Sequence, residues 1–162
     1  MANDTNDIRS TLNGLIETLK DGEEGFRTSA EKLQSSSIRG EFQEFAGQRG
    51  RFASELQTEV ASIGGEAATS GSTSGAVHRG WIGLKAALTG NDDHAILAEA
   101  ERGEDSAVKS YRDALSKDLP SDIRSVIDRQ YRDIQDVHMR VRALRDTTAN
   151  VTGISTGTTR TY

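Results

Sequence analysis

The chain contains no cysteine, a single proline at Pro120 and only 5% aromatic residues in 162 positions. Without thiols there is no disulfide framework, no thiolate metal site and no sulfur nucleophile, so oxygen and imidazole would have to hold any metal. The scarcity of aromatics beside a charged share of 28% suits amphipathic helices better than sheets. A basic excess is also missing. The net charge of −5 and pI of about 5.2 argue against nucleic acid as a partner, since phosphate binding normally needs a basic face. The Arg-rich last helix does not supply one, because Asp122, Asp128, Asp133 and Asp136 dilute it. No stretch approaches the ~18 apolar residues of a membrane span. Met1 to Arg9 is polar and lacks the apolar run of a secretion signal, so no membrane association and a cytoplasmic location are expected.

What is present is a repeated stripe with spacings of four and three. A first helix is predicted from Thr5 to Gln34, with Leu12, Ile16, Leu19, Glu23, Phe26, Ala30 and Leu33 on one face. After Ser35-Ser36-Ser37, a second helix carries Ile38, Phe42, Phe45, Arg49, Phe52, Leu56, Glu59 and Ile63 until Gly64-Gly65 stops it. The Ser/Gly-rich run from Thr69 to Gly75 reads as a linker leading to a short helical piece, Val77 to Leu88. Gly90-Asn-Asp-Asp93 then supplies caps for a helix lined by Leu97, Glu101, Glu104, Val108, Tyr111 and Leu115. Ser121, next to Pro120, opens the last helix, with Ile123, Ile127, Gln130, Ile134, Val137, Val141 and Leu144 facing inward. The Thr- and Gly-containing stretch 147–162 has no periodicity and is expected to be a disordered tail beyond a bundle spanning 1–146.

Loop lengths constrain the topology. The two short connections force antiparallel hairpins, whereas the crossover at about 64–93 is long enough to travel the length of a helix. Two antiparallel hairpins joined by one long crossover containing a short helix make an all-α, ferritin-like four-helix bundle.

Each stripe is interrupted near its middle: by Glu23, by Arg49, by Glu101 with Glu104, and by Gln130. A buried carboxylate left alone is too costly to stay ionised, so these residues must pair, bind metal or reach water. In one reading Arg49 forks onto the glutamates and Gln130 completes a structural polar network. In the other, Glu23, Glu101, Glu104, Asp133 and His138 hold iron or manganese, as in carboxylate-bridged di-iron or di-manganese binding proteins and oxidases. The second departs from the usual Glu-x-x-His pattern, and Arg49 stands where a ligand is needed. Arg49 therefore favours the charge network and a non-enzymatic role.

Gly22, Gly25, Gly47, Gly50 and Gly103 flank this layer and suggest close approach or a cavity there. Trp81 is expected to anchor the crossover, and His78 is a candidate to close over the layer with it. His94 is expected at a solvated helix N-terminus. No hydroxyl has a base at nucleophile-activating spacing.

The segments from Leu12 to Phe26 (LNGLIETLKDGEEGF), His78-Arg-Gly-Trp81, Glu101-Arg-Gly-Glu-Asp105 and Gln130-Tyr131 resemble a bacterial family of ferritin-like four-helix-bundle proteins of unknown function. The resemblance covers about residues 6 to 146. It implies the ferritin-like bundle and a bacterial, cytoplasmic setting, and it brings no catalytic or metal-ligand assignment. A structural, stress-related or partner-binding role is expected, with a protein partner or self-association.

Overall fold

A computed structural model of the chain describes residues 5–71, 81, 83–90 and 92–155. Among them are five helices and no strand: α1 (Thr5–Lys32), α2 (Ser36–Ser62), α3 (Leu84–Thr89), α4 (Asp93–Leu115) and α5 (Ser121–Ser155). No helix among the described residues is long and apolar enough to cross a membrane.

Helix ends follow local chemistry. Ser35 caps α2 by accepting from the Ile38 N–H at 3.3 Å. At the other end of α2 the Gly65 N–H reaches the Val60 carbonyl and the Gly64 N–H the Ala61 carbonyl. This paired closure requires left-handed backbone, supplied by Gly64 at φ 79°. Asp92 caps α4 through the His94 N–H, while Asp93 reaches across to accept from the Gln34 and Ser35 N–H groups at 2.9 and 3.1 Å. The start of α4 is thereby tied to the α1–α2 turn.

The long helices pack in a ring in which α1 touches α2 and α4, and α5 touches α4 and α2. Directions follow from named contacts. Lys117, just past α4, donates to Thr11 near the start of α1, so these two helices are antiparallel. Arg140 pairs with Glu41 and Arg129 with Glu55, which sets α5 antiparallel to α2. Helices α2 and α4 therefore run parallel from opposite corners of the ring. The crossover leaves α2 along α1, where Asn13 donates to the Glu66 carbonyl and accepts from the Ala68 N–H. Gln57 adds a bond to the Ala68 carbonyl at 2.9 Å.

The apolar interior falls into two clusters. One gathers Leu12, Ile16, Leu56, Tyr111, Ile127 and their neighbours; the other gathers Phe26, Phe42, Trp81, Leu97, Val141 and theirs. On α1, α2 and α4 the interruption of the stripe, at Glu23, Arg49 and Glu101 with Glu104, is the boundary between them, whereas Gln130 on α5 lies inside the first cluster, between Ile127 and Ile134.

Two expected boundaries are corrected. The helical piece expected over Val77 to Leu88 is α3, at Leu84–Thr89; residues 77–80 lie outside the described residues, as does His78. The last helix does not stop before residue 147 but continues to Ser155. No proline or glycine stands between Thr147 and Thr152. The Thr147 and Thr148 hydroxyls bond back to the Ala143 and Leu144 carbonyls inside the helix.

Candidate functional site: the polar layer at the bundle centre

At the boundary between the two clusters Arg49 and Glu104 are both fully buried. Arg49 Nη1 and Nη2 donate to Glu104 Oε1 and Oε2 at 2.7 and 2.6 Å, a two-bond fork that matches the planar geometry of both groups. Arg49 Nε donates to Gln48 Oε1 at 3.4 Å, and its Cζ lies 5.3 Å from the Phe26 ring centroid. The guanidinium is thus satisfied in its plane and stacked over an aromatic face. A pair of this kind adds little net stability, yet removing one member leaves an uncompensated buried charge.

Beside this pair a second chain of bonds, neutral at its inner end, crosses the interior. Tyr111 donates to Gln130 Oε1 at 2.7 Å. Gln130 Nε2 donates to the Phe52 carbonyl at 3.3 Å and to Glu55 Oε1 at 3.4 Å, and Glu55 is closed off by Arg129. Burial pushes the Tyr111 phenol well above its ordinary pKa; Arg49 opposes this and Glu55 adds to it. Tyr111 therefore acts as a neutral donor. Glu55 also raises Arg129 through its hydrogen bond, so the outer end of the chain is a solvent-exposed ion pair.

The residues expected in one network divide into separate groups. Arg49 meets Glu104, while Gln130 joins Tyr111 and Glu55. Glu23 is turned outward to Lys20 and Arg27 in the α1–α2 groove, against Gly50. Glu101 pairs with Arg145 on α5. Among the expected metal ligands, Glu104 is occupied by Arg49, and Asp133 sits near Arg129 and Arg132, raising both. Glu101 and His138 do approach each other, with Asp105 between them. The five-residue ligand set does not assemble, because Glu104 is taken up by Arg49, Glu101 by Arg145, and Glu23 by Lys20 and Arg27.

The flanking glycines make room for side chains. Trp81 is wedged between α1 and α4, and a β-carbon at Gly25 would stand 2.5 Å from its ring; one at Gly103 would fall on the same ring. Phe26 meets Trp81 edge-on at 5.1 Å. Glu99, also buried, accepts from the Gly83 N–H at 2.8 Å and holds down the next turn of the crossover. At Gly22, by contrast, a β-carbon would meet Arg49 at an ordinary 3.4 Å. His94 is not simply solvated: its Nδ1 lies 3.2 Å from the Arg145 carbonyl and 3.0 Å from the Thr148 hydroxyl, joining α4 to α5.

Sequence reasoning missed Glu55, Glu99 and Asp105. Glu55 and Asp105 lie off the inward stripe, and nothing in the spacing distinguishes them from solvated acids. Glu99, two residues before Glu101, points to another side of α4, and the spacing carries no signal for it either.

The family model described as Domain of unknown function (DUF2383) matches residues 7–117. That span takes in α1 from Asp7 onward, α2, the crossover and α4, with both Arg49 and Glu104. No curated protein matches the chain. By a match over more than half its length, the chain belongs to the family described as Domain of unknown function (DUF2383).

Proposed function

We infer that this protein is a ferritin-like bundle that carries a fixed guanidinium–carboxylate pair where bundles of that architecture hold metal. Its role is structural, stress-related or partner-binding in place of redox chemistry. One observation carries this: Arg49 occupies both oxygens of Glu104 at the core, with neither side chain open to solvent. A di-metal centre at that height would need Glu104 as a ligand and would set a multivalent cation against a buried guanidinium. The parallel course of α2 and α4, with one long crossover between them, supports the ferritin-like description.

A polar outer surface fits a cytoplasmic protein whose partners are met through charge. Met139 is the large hydrophobic side chain that stands exposed among the described residues.

The test is anaerobic titration with Fe(II) and Mn(II), followed by exposure to air. No two-ion stoichiometry, no oxo-bridged absorption band and no ferroxidase turnover are expected. Binding of two ions per chain with oxidation of Fe(II) would overturn the inference.

A further inference from the structure

We propose that Glu101, Asp105 and His138 form a site for one divalent cation of the zinc class in the groove between α4 and α5. Glu101 and Asp105 are four residues apart on α4 and share a face, and His138 comes from the facing helix. One donor atom from each lies within 4.8 Å of the others. His138 Nε2 is 2.5 Å from Asp105 Oδ1. Donors bonded to zinc at about 2.1 Å in a tetrahedron stand about 3.4 Å apart, so separations of at most 4.8 Å bring the set close to that spacing. One imidazole with two carboxylates is a borderline donor set, suited to zinc and its neighbours more than to calcium or magnesium.

The surroundings fit cation exchange. The Glu101 side chain is 11% exposed and Asp105 63%, so the site has a buried wall and an open mouth. Its inner carboxylate already holds a cation, Arg145. Arg145 also donates from Nη2 and Nε to Asp146 Oδ1 at 2.9 and 3.2 Å, so it can release Glu101 without losing every partner. An incoming ion would replace the guanidinium on Glu101 and the imidazole–carboxylate contact between His138 and Asp105. None of this involves Arg49 or Glu104, so the site stands or falls independently of the core pair.

The experiment is calorimetric titration of the full chain with zinc chloride, with Co(II) absorption reporting coordination. One ion per chain is expected, with a Co(II) spectrum of low coordination number. Asp105→Asn and His138→Gln should each weaken binding at least tenfold, and Arg145→Met, which removes the competing cation, should tighten it. Asp105 is exposed, so its variant leaves the fold in place, and far-UV circular dichroism checks this for all three. Absence of saturable one-to-one binding in both the parent chain and Arg145→Met would overturn the proposal. So would parental affinity in either ligand variant, which would place the ion on other residues.

Discussion

Arg49 and Glu104 span the diagonal of the ring: α2 and α4 occupy opposite corners with no backbone contact between them, and the two side chains meet across the gap. Only long side chains reach that far. Arginine and glutamate do so while filling each other's hydrogen-bonding capacity, which explains how two charges are kept in a fully buried position.

Removing one member should therefore be costly. Arg49→Met leaves Glu104 buried without its cation and is expected to lower stability by about 3–5 kcal/mol. The double variant Arg49→Met, Glu104→Leu should recover most of this loss, because an apolar pair of similar volume needs no charge compensation. Urea unfolding of both variants checks the pattern. A midpoint for Arg49→Met equal to that of the parent would contradict the buried pairing.

Glycine replacements should split by what stands opposite them. Gly25→Ala and Gly103→Ala drive a methyl into Trp81 and should destabilise by about 1–3 kcal/mol despite the better helix propensity of alanine. Gly40→Ala on α2 meets nothing within 4 Å and should stabilise by up to about 1 kcal/mol. Thermal unfolding separates the two classes by the sign of the shift.

Alkaline pH provides a probe of Tyr111. The folded chain keeps its phenol protonated beyond the point near pH 10 where a free tyrosine ionises. Below about pH 10 both states hold the proton and the contribution to stability is complete. Above it the unfolded chain binds fewer protons than the folded one, and stability falls by about 1.4 kcal/mol per pH unit from this group. Tyr111→Phe should remove that component from denaturation curves collected between pH 9 and 11. Equal slopes for variant and parent would refute the assignment.

Trp81 is the single tryptophan, so its fluorescence reports whether the crossover is docked. Buried at 4% exposure, it should emit at short wavelength and resist acrylamide quenching. Glu99→Ala removes the acceptor that holds Gly83. It is expected to raise quenching while far-UV circular dichroism stays constant, and unaltered quenching would show that Trp81 alone anchors the segment.

Much of this was legible in the sequence. The stripes marked the four long helices, and Gly64-Gly65, Ser35 and Asp92 marked ends that are closed by hydrogen bonds. Arg49 was identifiable as a charged residue on an inward-facing stripe. Its partner was not, because Glu101 and Glu104 differ by three positions on one helix, and a modest rotation decides which of them faces the diagonal. Glu101 turned to Arg145 and Glu104 to Arg49. The glycines announced close approach without saying that an indole from a distant segment would fill it. That contact joins residues far apart in the chain, and no local pattern encodes it.

The wedge of Trp81 between Gly25 and Gly103 has a consequence for the order of assembly. The α1–α2 and α4–α5 hairpins are built from contacts close in sequence and can form early, each with its own short loop closure. The notch exists only once α1 and α4 lie side by side, so the indole can seat only after the hairpins have met. Seating it then ties the two halves together at the height where charge had divided the interior.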